Sequence, residues 1–299
     1  MSILVVGTVA YDSVKTPHGE VTEALGGSAT YFAAAASFFT PIDIVAVVGN
    51  DFAKSHLEFL KARNVDFSGL EVADGQTFRW AGEYEPNMND RETLDTQLNV
   101  LLNFKPVLND AHRDRPFVFL ANIDPELQSE VLDQVNSPQL TICDTMDFWI
   151  SGKRKALEAT LSKVDILIIN DSEARQLSNE YNLAKAGQYI LDLGPRAAVI
   201  KRGEHGATLV TRDSYFAVPA FPVLTVTDPT GAGDSFAGGF VGYLAREGDT
   251  SDTGLKRAMI RGSVMASFNV EDFSVRRLEM LENHEIESRL ESFMEMLRF

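Results

Sequence analysis

The run Val223-Leu-Thr-Val-Thr-Asp-Pro-Thr-Gly-Ala-Gly-Asp-Ser-Phe-Ala-Gly-Gly-Phe240 brings together the residue types that phosphoryl transfer needs. It reads as a strand over 223–227, a turn and a helix, because Pro229 cannot donate to a strand ladder and so ends one. Gly231, Ala232 and Gly233 then put almost no side-chain bulk at the start of the helix. The first turn of a helix carries unpaired N–H groups and a partial positive charge. Small residues there let an anion approach the backbone closely, which makes a phosphate cradle. Asp234 follows at once. A carboxylate in a first helical turn is ordinarily a cap or a dipole partner. Beside a phosphate cradle it can also take the proton from an attacking hydroxyl, the one base such a transfer needs besides positioning and charge neutralisation.

The elements that must hold this segment follow a strand–helix rhythm. Strand candidates are Ile3–Val6, Ile42–Val48, Phe117–Leu120, Leu140–Cys143, Val164–Ile169 and Ala197–Lys201, with shorter strands at 207–211 and 215–218. Most are continuous apolar runs, the pattern of parallel strands covered on both faces. Helical stretches such as Ser28–Phe39, Lys54–Arg63, Glu126–Val135 and Lys153–Leu161 alternate with them, which implies a parallel α/β sheet with crossovers. Segments 8–25 and 72–105 break the rhythm and read as strands of a small lid; the plain alternative is a decorated surface loop. Gly238, Gly239 and Gly242 each cost the helix after Asp234 about 1 kcal/mol relative to alanine, so a strand or a ligand must pass very close to them. Asn170 and Glu173 end an apolar strand run, where ligands of open α/β sheets sit. They also have the spacing of a helix-capping pair, and the two roles are compatible.

Composition excludes several classes. The chain has 299 residues and a formal net charge of −16, which argues against a nucleic-acid or anionic-membrane partner. It also means that local cations and backbone amides must draw in any polyanionic ligand. The single cysteine, Cys143, rules out an internal disulfide and points to the reducing cytoplasm. The N-terminus lacks the basic region of a signal peptide, and no apolar run approaches the ~20 residues that span a bilayer. The five histidines show no metal-ligand spacing. There is no P-loop motif, nor a Gly-x-Gly-x-x-Gly opening a helix after the first strand. Trp80, Tyr84 and Trp149 are candidates to stack on a sugar or a base, although aromatics more often fill a core.

Asp228–Gly239 resembles the C-terminal signature of the ribokinase or phosphofructokinase-B family of carbohydrate kinases. The resemblance extends over nearly the whole chain. Gly26-Gly27-Ser-Ala-Thr-Tyr-Phe-Ala resembles the family's Gly-Gly segment. Val47-Val-Gly-Asn-Asp-Phe52 resembles its next landmark, with Ala53 where a glycine is usual. Asn170-Asp-Ser-Glu173 resembles its Asn-x-x-Glu element, and Lys201-Arg-Gly-Glu-His-Gly206 its nucleotide-lining turn.

The resemblance implies one ribokinase-like domain over 1–299: a three-layer α/β/α sandwich with a mostly parallel central sheet and a small β lid. The reaction it implies moves the γ-phosphoryl of ATP to a hydroxyl of a sugar or sugar-like molecule. Asp234 would be the general base, and the amides of Gly231, Ala232 and Gly233 the anion hole. Asn170 and Glu173 would hold Mg²⁺ through water. Lys201, Gly203, Gly206, Asp228, Thr230 and Asn269 would line the nucleotide, and Asp12, Gly26 and Gly27 the acceptor. A homodimer through the lid is a further expectation. Phe268-Asn-Val-Glu-Asp-Phe-Ser274 departs from the family's basic-glycine turn, with Glu271, Asp272 and Phe273 in its place, so K⁺ activation finds no support. Two other readings compete: a nucleoside kinase of the same fold, and a non-catalytic metabolite sensor. The intact 231–234 run favours an enzyme, although a fold alone never proves activity.

Overall fold

The computed structural model describes residues 1–298. Its central sheet has nine strands. From one edge to the other they are Tyr215–Val218, Ala207–Thr211, Ala197–Lys201, Ile166–Asn170, Leu140–Asp144, Phe117–Leu120, Ile3–Val6, Ile42–Gly49 and Val65–Ala73. All neighbours pair in parallel except the first three strands of that order, which pair antiparallel. The apolar runs are buried on both faces because helices cover both. One core packs the sheet against Ser28–Ala36, Ala232–Glu247 and Asp252–Asn269; the other packs it against Pro125–Leu132, Arg154–Leu161, Asp171–Ser178 and Leu183–Asp192. The three-layer sandwich is therefore as the sequence implies. Ile3–Val6 lies between Ile42–Gly49 and Phe117–Leu120, so the strand order reverses there. A crevice at the carboxyl ends of strands is expected at such a switch point.

The three helix glycines have a physical answer. A methyl group at Gly238 would fall 2.4 Å from the Phe32 carbonyl oxygen, and one at Gly239 2.8 Å from the Arg261 carbonyl oxygen. At Gly242 it would lie 3.2 Å from Ala36 Cα. Their close neighbours are thus the two flanking helices, neither a strand nor a ligand, and the tight three-helix packing fixes the helix that begins at the cradle.

The irregular segments form a second sheet of four strands, ordered Gly19–Gly26, Ala10–Thr16, Arg79–Tyr84 and Arg91–Gln97. One expectation fails: 223–227 is not a strand. Prolines 219 and 222 interrupt the chain, Leu224 is fully exposed, and no strand lies alongside. The segment is held instead where the Thr227 amide donates to the Val270 carbonyl at 2.7 Å. Ala53, where a glycine is usual, has φ −78° and strains nothing.

Candidate active site

The cradle is built on a tight turn. Gly231 precedes the helix Ala232–Glu247 with φ 75° and ψ 0°, left-handed values that favour glycine. A side chain there would also meet the Tyr31 ring at 2.3 Å. Among the described residues the amides of Gly231 and Gly233 find no protein acceptor and remain available to an anion. Ala232 does not fit the expected triad, because its N–H closes the turn onto the Pro229 carbonyl at 3.1 Å. Of the three amides, only those of Gly231 and Gly233 are therefore free donors.

Three expected nucleotide contacts also prove to be scaffold. Asp228 is wholly buried; its Oδ1 accepts from the Thr230 amide at 2.8 Å and its Oδ2 from the Ser274 amide at 3.3 Å. Thr230 Oγ1 donates to the Tyr84 hydroxyl at 3.3 Å. Asn269 Nδ2 donates to the Thr230 carbonyl at 2.7 Å, while its Oδ1 accepts from Ser235 Oγ at 3.0 Å. Buried polar groups must be satisfied, and these three are satisfied by one another and by the turn. Gly206 is likewise a packing residue: a methyl group on it would lie 2.0 Å from the Val218 carbonyl oxygen.

Asp234 stands half-buried in the first turn and makes no hydrogen bond or ion pair among the described residues. Burial, then the like charges of Asp144 and Asp12, push its pKa up to about 8 against the opposing pull of Lys201 and Arg91. Lys201 enters from the end of its strand. Its Nζ lies 3.3 Å from Asp144 Oδ2, and a methyl group at Gly233 would lie 2.8 Å from that Nζ. Burial works against the lysine's charge, but the attraction of Asp144, Glu173 and Asp234 outweighs it and raises the pKa. Lys201 thus places a cation beside the cradle.

Asn170 and Glu173 form the capping box of Asp171–Ser178. Asn170 Oδ1 accepts from the Glu173 amide at 2.8 Å, and Glu173 Oε2 accepts from the Asn170 amide at 3.0 Å. Asn170 Oδ1 also accepts from Ser172 Oγ at 2.8 Å, so it is a cap and not a direct metal ligand. Glu173 keeps its second oxygen free; burial and the nearby Asp144 push its pKa up to about 7, with Lys201 opposing. A hard dication held through water fits this oxygen-only set of Glu173 and Asp144. Removing the cap in Asn170→Ala should cost ~1 kcal/mol, a fall of roughly 2–4 °C in Tm. Asn170→Asp should restore it, and melts that do not distinguish the two variants would refute the capping role.

On the acceptor side, Asp12 is buried with its Oδ2 3.5 Å from the Tyr31 hydroxyl. Burial, resisted by the Gly27 amide, leaves its pKa at about 7. Gly26 makes room for it: a methyl group there would overlap Asp12 Oδ2 at 2.0 Å. A methyl group at Gly27 would press on the Thr8 carbonyl oxygen at 2.5 Å. Gly203 faces the second sheet, where a methyl group would lie 2.6 Å from Asn89 Oδ1. Trp149 Nε1 donates to Asn122 Oδ1 at 3.0 Å, and Trp80 carries Arg91 over its ring at 5.3 Å. Sequence reasoning missed Asp144, Tyr31 and Arg91. Asp144 was findable, since it ends an apolar strand at the same sheet edge as Asn170. Tyr31 and Arg91 carry no local signal.

Comparison with known proteins agrees with this geometry. A candidate ribokinase II of Escherichia coli, solved with ATP and Mg²⁺, superposes with a TM-score of 0.80 over 97% of this chain and 99% of that one, at 20% identity. The cytidine kinase of Thermococcus kodakarensis is 27% identical over 251 residues, 82% of this chain and 89% of that protein. The nucleoside kinase of Methanocaldococcus jannaschii is 25% identical over 230 residues, 77% and 73% of the two chains. The architecture is that of a ribokinase-like α/β protein. Residues 2–280 match the profile described as pfkB family carbohydrate kinase, and the chain belongs to that family of kinases.

Proposed function

We propose that this kinase transfers the γ-phosphoryl of ATP to a hydroxyl of a sugar, either free or as the ribosyl part of a nucleoside. The observation that carries the reading is Asp234, an unpaired carboxylate beside two free amides and Lys201. In the transfer the acceptor oxygen bonds to the γ-phosphorus and the bond from that phosphorus to the β–γ bridging oxygen breaks. The hydroxyl proton goes to Asp234, and ADP leaves. The Gly231 and Gly233 amides and Lys201 hold the phosphoryl oxygens, an arrangement that stabilises charge without reorganisation. Asp12 binds acceptor hydroxyls. Glu173 and Asp144 would hold Mg²⁺, which would supply neutralisation of the phosphate charge there. The four-stranded sheet serves as the lid, excluding water so that phosphate is not lost to hydrolysis.

A nucleoside acceptor is favoured over a free sugar by the cytidine and nucleoside kinases among the relatives. ADP release should be measured against panels of free sugars, sugar phosphates and nucleosides, with and without Mg²⁺. Release that depends on one acceptor class and on Mg²⁺ is expected. Release indifferent to any acceptor, or none across all panels, overturns the reading.

No helix among the described residues is long and apolar enough to cross a membrane.

A further inference from the structure

The net charge of −16 sharpens at the cleft, where Asp12, Asp144, Glu173 and Asp234 face a single lysine from the main sheet. A second cation comes from the other sheet. Arg91 opens the strand Arg91–Gln97 and pairs in register with Tyr84. Tyr84 is fixed to the phosphate turn, its hydroxyl 3.3 Å from Thr230 Oγ1, one residue before Gly231. The loop joining these strands reaches the other side of the cleft, with Asn89 Nδ2 3.5 Å from Glu204 Oε1. Arg91 is therefore anchored between the Gly231 turn and the Gly203 turn. Its guanidinium lies 5.3 Å over the Trp80 ring, and no carboxylate lies within ion-pair distance of it among the described residues. Its charge nonetheless reaches Asp12, Glu173 and Asp234, where it opposes the upward pKa shift that burial imposes on each. An arginine without a carboxylate partner in so acidic a cleft, held only beside the Tyr84 hydroxyl, suits a phosphate ligand through its planar fork better than a point charge would.

We infer that Arg91 is a further catalytic residue that grips the phosphoryl group in transit from the second sheet, while the Gly231 and Gly233 amides and Lys201 hold it from the main body. The inference rests on the kinase reading above. It makes lid closure deliver a charge as well as exclude water.

Arg91→Met and Arg91→Lys, compared with wild type, test it. Arg91→Met should lower kcat by ~10²-fold or more, as loss of an arginine on a transferring phosphoryl does. KM for ATP should change only a few-fold, and lysine should recover only part of the loss because it lacks the fork. Arg91 packs over Trp80 and makes no ion pair among the described residues, so Arg91→Met should melt within a few degrees of wild type. Binding supplies a readout that needs no acceptor. MgADP with aluminium fluoride, a mimic of the group in flight, should bind Arg91→Met at least tenfold more weakly, with MgADP alone unchanged. A kcat within threefold of wild type, or equal affinity for the fluoride complex, overturns the inference. Wild-type protein silent against every acceptor yet binding the fluoride complex through Arg91 would instead sink only the acceptor reading.

Discussion

Asp234→Asn is expected to melt at a higher temperature than wild type while losing ~10²–10⁴-fold in kcat, the range for removing a general base. The two effects share one cause. Burial and the charges of Asp144 and Asp12 hold the Asp234 pKa at about 8, well above the 3.8 of a free aspartate. Between those values the folded protein keeps a proton that the unfolded chain has lost, so wild-type stability falls as pH rises through the window. Asparagine has no proton to keep. The variant's advantage should therefore be small near pH 4, widen up to about pH 8 and then stay level. A discount for relaxation around the carboxylate still leaves at least ~1 kcal/mol, or about 2 °C. In wild type the same value places the rising limb of kcat/KM, which reports the free enzyme, near pH 8 rather than near pH 4. Melts at pH 5 and pH 8 with a pH–rate profile check both halves. Normal turnover by the variant excludes Asp234 as the base, and a pH-independent difference in Tm removes the strained carboxylate from the account.

The layers of the fold were legible because burial writes itself into sequence as continuous apolar runs. Ile3–Val6, Phe117–Leu120 and Ala197–Lys201 have the same bounds in sequence and structure. The run 223–227 has strand-like residues but no partner strand, and a partner is a tertiary fact. The glycine turn that opens the helix Ala232–Glu247 was legible because glycine, alanine and glycine at a helix start demand a tight backbone. What the sequence concealed was how polar atoms are shared. Asp228, Thr230 and Asn269 look like ligands by type, yet the structure commits them to one another. The departure at 271–274 conceals a similar division of labour. Glu271 pairs with Arg277 and Arg289 at 2.9 and 2.6 Å, tying down the C-terminal helix. Phe273 packs with Val14 and Tyr84 of the second sheet, and the Ser274 amide holds Asp228. Arg91 lay in a stretch of alternating polar residues, where nothing local marks which side chain turns inward.

Lys201→Met should damage both stability and turnover, because one ammonium serves three carboxylates. Asp144, Glu173 and Asp234 all raise the lysine's pKa, and by the same attraction Lys201 opposes the upward shifts of Glu173 and Asp234. Removing one member of a buried ion pair costs about 3–5 kcal/mol when the other charge is stranded. Here the stranded groups have an escape: Glu173 and Asp234 already sit at about 7 and 8, so without the cation they take up protons instead of remaining charged. The loss of stability should therefore be modest near pH 6 and approach the full figure above pH 8. The same protons silence the base, so the rising limb of the pH–rate profile should move to higher pH and kcat at pH 7 should fall at least ~10²-fold. Lys201→Arg keeps the charge and should restore the position of the limb, but its larger planar head meets Gly233, where Nζ already lies 2.8 Å from the place of an added methyl group. Activity should return only in part. Melts of both variants at pH 6 and pH 8.5, with the pH–rate profile of each, decide the matter: a methionine variant whose limb stays in place would show that Lys201 does not govern the ionisation of Asp234.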